Sequence, residues 1–103
     1  MISLLGVPLD ANSSHLLGAA AGPAAVRAAL HSGSGNDSTE ASVEVVPLLE
    51  DLGDVAITNE RGSTADADAI TDAVARELEQ GRRVITIGGD HSIAYPILRA
   101  FRD

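Results

Sequence analysis

The chain has no cysteine and no tryptophan, and its 103 residues include only two aromatic side chains, Tyr95 and Phe101. Without cysteine there are no disulfides, no thiol chemistry and no cysteine-ligated zinc, so any metal would have to be held by His, Asp or Glu. With so few aromatics, a core must be assembled from Ala, Val, Leu and Ile, and alanine buries little area per residue. Basic residues are also scarce: seven against fifteen acids give a net charge of −8, which argues against a nucleic-acid partner. No run approaches the ~20 apolar residues that span a bilayer. Met1-Ile2-Ser3-Leu4-Leu5 is apolar but lacks a basic flank, and Pro8 and Asp10 follow at once. The segment therefore reads as a buried first strand rather than a signal peptide. A cytoplasmic location with no membrane partner is the expectation.

What remains alternates between strand and helix signals, within a length that allows one domain. Ile2–Val7 is a near-continuous apolar run, the pattern of a strand buried on both faces of a parallel sheet. Pro8 ends it, and a polar loop over residues 9–21 carries Asp10, Asn12, Ser13, Ser14 and His15. Pro23 suits the first position of a helix whose Val26, Ala29 and Leu30 share a face, with Gly33 as its stop. Residues 32–42 have loop composition. Residues 43–46 and 48–52 are short strand candidates interrupted by Pro47. Ser63 or Thr64 caps a second helix, with Asp66 and Asp68 in its first turn where the dipole favours acids. Ala69, Ile70, Ala73, Val74 and Leu78 form its apolar stripe, Gly81 closes it, and Arg82 and Arg83 fall beside the last carbonyls. Residues 84–87 then make the strongest strand. This order implies βαβ crossovers and a parallel sheet, with an edge strand open to association.

The stretch richest in chemical meaning is Arg83-Val84-Ile85-Thr86-Ile87-Gly88-Gly89-Asp90-His91-Ser92. A β-branched run ends in two glycines, an acid and a histidine, and then helix signals resume. In open α/β sheets, ligands gather beyond the carboxyl ends of the strands, and glycines there permit positive φ and close approach. His91 on such a turn offers a neutral imidazole to a borderline or hard divalent metal; the alternative is a structural or capping histidine. Asp90 reads as an acceptor orienting its neighbours or as a helix N-terminal acid, Ser92 as the N-cap, and Pro96 as a first-turn residue. His15 lies on the same side of the sheet in a solvated loop, and His31 at a helix end on the surface. No Ser-His-Asp arrangement is defined. The glycines before Pro23 match neither a P-loop nor a dinucleotide-binding fingerprint.

Gly88-Gly89-Asp90-His91-Ser92 resembles the first metal-binding signature of the ureohydrolases, the arginase, agmatinase and formiminoglutamase family. The following Ile93-Ala94-Tyr95-Pro96-Ile97-Leu98-Arg99 fits as well. Leu5-Gly6-Val7-Pro8-Leu9-Asp10 is similar to that family's first strand and its exit, and Gly18 through Arg27 to the glycine-proline start of its first helix. Asp51-Leu52-Gly53-Asp54-Val55 is a weaker match. The resemblance runs from about residue 2 to about residue 102, apart from a patch at 33–42.

The resemblance implies a three-layer α/β fold with a parallel sheet of the arginase/deacetylase type, residues 1–103 forming the N-terminal part of a single domain. It further implies a manganese-dependent amidinohydrolase, agmatinase- or arginase-like, that converts a small guanidino substrate to urea and an amine. The manganese site would be dinuclear in the complete protein, with His91 as the metal ligand contributed here. The loop at residues 10–14 resembles agmatinase-type members more than arginases. After the Gly88–Ser92 signature, neither the family's Asp-Ala-His-x-Asp motif nor its later Asp-x-Asp motif occurs within these 103 residues. Two readings follow: part of a homo-oligomeric ureohydrolase whose other ligands lie beyond residue 103, or a non-catalytic α/β fragment acting as an interaction module.

Overall fold

The computed structural model describes residues 1–32, 36 and 38–102; the helix stop expected at Gly33 lies outside the described residues. Three strands, β1 (Ile2–Val7), β2 (Leu49–Asp54) and β3 (Arg83–Gly88), alternate with helices α1 (Gly22–Leu30), α2 (Thr64–Glu79) and α3 (Ala94–Arg99). The strands form a parallel sheet in the order β2-β1-β3. β1 and β3 pair in unbroken register from Ile2 opposite Arg83 to Val7 opposite Gly88. The β1–β2 ladder is irregular between Leu4 and Gly6.

The central place of β1 follows from its sequence. Alternate side chains of a strand face opposite sides, and residues 3–7 are all buried. Leu5 and Val7 pack with Leu9, Val55, Ile70 and Val74 to form the core on the α2 side. Ser3, on the same face, is also buried, and its hydroxyl donates to Glu77 of α2 at 2.7 Å. On the other face Gly6 makes room for a charge: a Cβ there would stand 2.9 Å from Nη2 of Arg27 and strike the Asp54 carboxylate.

Helix α1 is rotated from the expected face. Val26 and Ala29 are exposed, while Pro23 is buried and Arg27 and Leu30 are half-buried. The inward stripe is thus 23-27-30. The cause is electrostatic: Arg27 Nε donates to Asp51 at 2.9 Å and Nη1 to Asp54 at 2.5 Å, drawing the guanidinium onto β2. These contacts raise the Arg27 pKa, with the Asp54 hydrogen bond as the main cause.

Helix α2 follows its pattern closely. Ser63 caps it, its hydroxyl accepting from the Asp66 amide at 3.1 Å. Ile70 and Val74 are fully buried, with Ala69, Ala73 and Leu78 packed beside them. Acids close the stripe at both ends, where Asp66 and Glu77 are buried. At its C-terminus the amides of Gly81 and Arg82 donate to the carbonyls of Leu78 and Glu77, and Gly81 supplies the positive φ of 75°. The Arg82 side chain does not sit over the carbonyls as its position suggested. Two carboxylates outcompete them: Nη1 pairs with Glu50 at 2.7 Å and Glu77 at 3.2 Å.

Residues 43–46 are not a strand. Val46–Leu48 is a 3-10 turn around Pro47, preceded by an isolated antiparallel bridge between Ser38 and Glu44. Proline has no amide for a ladder, so the strand begins only at Leu49. Helix α3 rests on α2, with Thr71 Oγ1 donating to the Pro96 carbonyl at 2.7 Å and Arg99 pairing with Asp68 at 3.3 Å. Among the described residues, the outer edge of β3 carries no partner strand, and Ile85 on it is exposed.

Because the core is one small cluster, Ile70→Ala should cost about 2–5 kcal/mol. That is a large share of the about 5–15 kcal/mol that holds a typical domain folded. Urea unfolding of the variant should show a clearly lowered midpoint, and an unchanged midpoint would remove Ile70 from the centre of the core.

Candidate functional site at the carboxyl edge of the sheet

The three strands deliver their chain to one edge, and the exits are tied to each other there. After β1, the Leu9 carbonyl accepts from the Asp90 amide at 2.7 Å. After β3, Gly89 has φ of 88°. A Cβ at Gly89 would lie 2.6 Å from the Val7 carbonyl oxygen and 2.5 Å from that of Leu9, so the turn admits only glycine. A Cβ at Gly22 would meet the Gly88 carbonyl oxygen at 2.6 Å. The glycine-proline segment that opens α1 therefore packs directly on the Gly88-Gly89 turn.

Three aspartates hold this edge. Asp10, buried, accepts from the Gly18 and Ala20 amides at 2.8 and 3.2 Å and from the Asn59 side-chain amide at 2.9 Å. Those bonds, Asn59's foremost, hold its carboxyl below the ordinary carboxylate range. Asn59 returns the contact, its Oδ1 accepting from the amides of Asp10 and Ala11. Asp66, also buried, gathers the Thr58, Asn59 and Glu60 amides and the Thr58 hydroxyl. Burial is the largest single influence and pushes its pKa up, yet the hydrogen bonds together outweigh it and the net shift is downward. Asp66 was expected to serve the helix dipole; its larger task is to clamp the loop after β2.

Asp90 is the third. It is the N-cap of the short 3-10 turn His91–Ile93, so the cap falls on Asp90 and not on Ser92 as the sequence suggested. The acid has an extra oxygen with which to do more. Oδ1 accepts from the Ser92 amide and hydroxyl and Oδ2 from the Asn12 amide at 3.0 Å. Asn12 also takes the Gly62 amide at 2.7 Å on Oδ1 and donates through Nδ2 to Ser92 Oγ at 3.1 Å. The sequence marks Asn12 only as one of several polar residues in the loop after β1, and gives Asn59 no role. The available signal for Asn59 was its type, since asparagine tolerates the left-handed conformation it adopts, with φ of 59°.

His91 follows Asp90 on this turn and is exposed. His15, in the loop after β1, and His31, capping the end of α1, are exposed as well. Among the described residues, no three His, Asp or Glu side chains converge as a metal centre. Asp10, Asp66 and Asp90 are committed to backbone donors. The donor chemistry of His91, the imidazole carried on the turn after β3, fits a single ligand of such a centre and no more. A cleft of about 510 Å³ between β2 and α2 is lined by residues such as Leu52, Ala69 and Arg76 and by none of the loop groups above. It is not this site.

The arginase family's sequence profile matches residues 1–103. The mitochondrial arginase 1 of Arabidopsis thaliana is 40% identical over 105 residues, covering 95% of this chain and 31% of the plant protein. The formimidoylglutamase of Halalkalibacterium halodurans is 38% identical over 101 residues, again covering 95% of this chain and 31% of the relative. Among solved structures, the arginase from Medicago truncatula superposes with a TM-score of 0.84 at 34% identity, over 95% of this chain and 33% of that one. A hypothetical agmatinase from Burkholderia thailandensis gives 0.83 at 30% identity, over 97% and 32%. The chain belongs to the arginase family, and its parallel α/β fold is that of arginases and agmatinases. It spans about a third of the length of these relatives.

The lowered pKa values set an acid limit. Each such carboxylate contributes stability that is present above its ordinary pKa near about 4 and is lost as the pH falls through the lowered folded value. The unfolding midpoint should therefore be flat from about pH 7 to about pH 5 and fall steeply below about pH 4. Asp66→Asn should lower stability at neutral pH and flatten the acid limb. Parallel acid limbs in variant and parent would mean that Asp66 does not carry this linkage.

Proposed function

We propose that this chain is part of a manganese-dependent amidinohydrolase that cleaves a small guanidino compound to urea and an amine. The observation that carries the proposal is the placement of His91. A family signature histidine stands exposed on the turn beyond β3, at the edge where all three strand exits converge. Membership of the arginase family supports the same reading. His91 supplies a neutral imidazole ligand, and the remaining donors come from outside the described residues. Manganese in such a site polarises the substrate and lowers the pKa of water. The chain's own contribution is to hold the histidine on a turn that Asp90, Ser92 and Asn12 brace.

The expected setting is cytoplasmic and the expected partner is a further copy of the protein. The open edge of β3 and the exposed Tyr95, Leu98 and Phe101 support a homo-oligomer.

Urea release from arginine, agmatine and guanidinobutyrate by the intact protein, with and without added manganese, is the direct test. Manganese-stimulated release from one of them is expected. No release from any, in a manganese-loaded and folded protein, would refute the assignment. His91→Ala in the intact protein should remove one manganese per site and most of the activity; undiminished metal content and rate would refute the ligand role. Residues 1–103 alone, with His91 as the one ligand assigned among them, should bind manganese weakly and release no urea. Tight stoichiometric binding by calorimetry would contradict the single-ligand assignment.

A further inference from the structure

We infer that Asn12 is a positioning residue for His91, acting through a hydrogen-bond relay whose direction only an amide can satisfy; the inference rests on the manganese reading proposed above. The direction is set from both ends. The Asp90 carboxylate only accepts, so the Ser92 hydroxyl, in contact with Oδ1, must donate to it. A hydroxyl has one proton, so Ser92 Oγ can only accept from its other neighbour, the Asn12 Nδ2 at 3.1 Å. That turns Asn12 Oδ1 the other way, toward the Gly62 amide at 2.7 Å, which can only donate. The backbone of Asn12 closes the ring by donating to Asp90 Oδ2 at 3.0 Å.

The relay joins the exits of all three strands across large sequence separations. Asn12 lies on the loop after β1, Gly62 on the segment between β2 and α2, and Asp90 and Ser92 flank His91 after β3. The Asp90 and Ser92 side chains are thereby fixed on either side of the histidine, whose ring makes no hydrogen bond among the described residues. On this three-residue turn Ile93 packs against the core, whereas His91 and Ser92 are exposed and draw no hold from it. The bracing from Asn12 therefore sets the angle at which His91 is presented. Groups of this kind around a metal ligand typically change metal affinity about 10–100-fold when removed.

The relay discriminates between substitutions of equal size. Asp at position 12 has the shape of Asn but no proton to donate. It would face the Ser92 oxygen with a second acceptor and stand beside the Asp90 carboxylate. The isosteric change should then be at least as harmful as truncation.

The test measures manganese affinity of the intact protein, by calorimetry or by the electron paramagnetic resonance of free manganese, together with hydrogen exchange at the amides of residues 89–93. Asn12→Ala and Ser92→Ala should each weaken manganese binding about 10–100-fold and speed exchange at this turn. Asn12→Asp should weaken it at least as much, and the Asn12→Ala/Ser92→Ala double variant little more than the worse single one. Ser3→Ala, which removes a buried hydrogen bond to Glu77 at the opposite end of β1, serves as a stability control and should leave affinity unchanged. Parental affinity in Asn12→Ala or Asn12→Asp would overturn the inference while leaving the manganese reading intact. An equal loss in Ser3→Ala would also overturn it, by showing that affinity follows global stability. Absence of manganese binding in the parent protein would overturn both together.

Discussion

Irregular backbone at the carboxyl edge of a parallel sheet has amides that no ladder satisfies, and everything else at this edge depends on how they find acceptors. Here carboxylates do it. Asp10 gathers the loop after β1, Asp66 the loop after β2 and Asp90 the turn after β3, each taking two or three backbone donors. Hydrogen bonds to a charged acceptor are roughly twice as strong as neutral ones, so the three acids add substantially to the apolar anchors, such as Leu9 and Val55, that the loops place in the core. Asn12 and Asn59 then lock the loops to one another. The result is a rim whose apolar residues, Leu9 and Val55 among them, reach down into the core while polar contacts tie its loops together, and on it a histidine is left accessible.

The core beneath is correspondingly modest, and the two halves of the molecule support each other. Leu5, Val7, Ile70 and Val74 make a narrow apolar seam between β1 and α2. At one end of that seam Asp66 fastens the segment leading into α2, and at the other Glu77 joins Ser3 and Arg82. Buried acids at the ends of an apolar stripe are costly unless paired, and both are paired to groups from other elements. The acids therefore fix the axial position of α2 on the sheet, which the alanine-rich stripe, low in shape detail, would leave loosely specified.

Legibility in the sequence followed the range of the interactions. Ile2–Val7, the stripe of α2, the Ser63 cap and the Gly81 stop are local patterns, and each stands where the pattern put it. β2 was legible only in part, because Leu49–Asp54 mixes acids with leucines and the valines before Pro47 looked more strand-like than they are. Helix α1 was placed correctly but turned wrongly, since its inward face is chosen by the pairing of Arg27 with Asp51 and Asp54, which lie 24 and 27 residues away. At the site, the signature picked out His91 and Asp90. The partners of Asp90 and Asp10 lie up to 78 and 49 residues distant, and no local periodicity encodes a hydrogen bond between loops.

The acid excess takes on a different meaning in this light. A net charge of −8 argues against a nucleic-acid partner. Yet Asp10, Asp51, Asp54, Asp66, Asp90, Glu50 and Glu77 are all engaged within the fold, by arginines or by amide and hydroxyl donors. Apolar packing braces an edge of this kind only by closing space. Carboxylates brace it from the side, by binding backbone rather than filling volume. Asp10, Asp66 and Asp90 bring three carboxylates to the rim, and negative charge there favours the approach of cations over anions. One set of residues thus builds the loops and biases what can approach them, so charge and architecture at this edge are not separable properties.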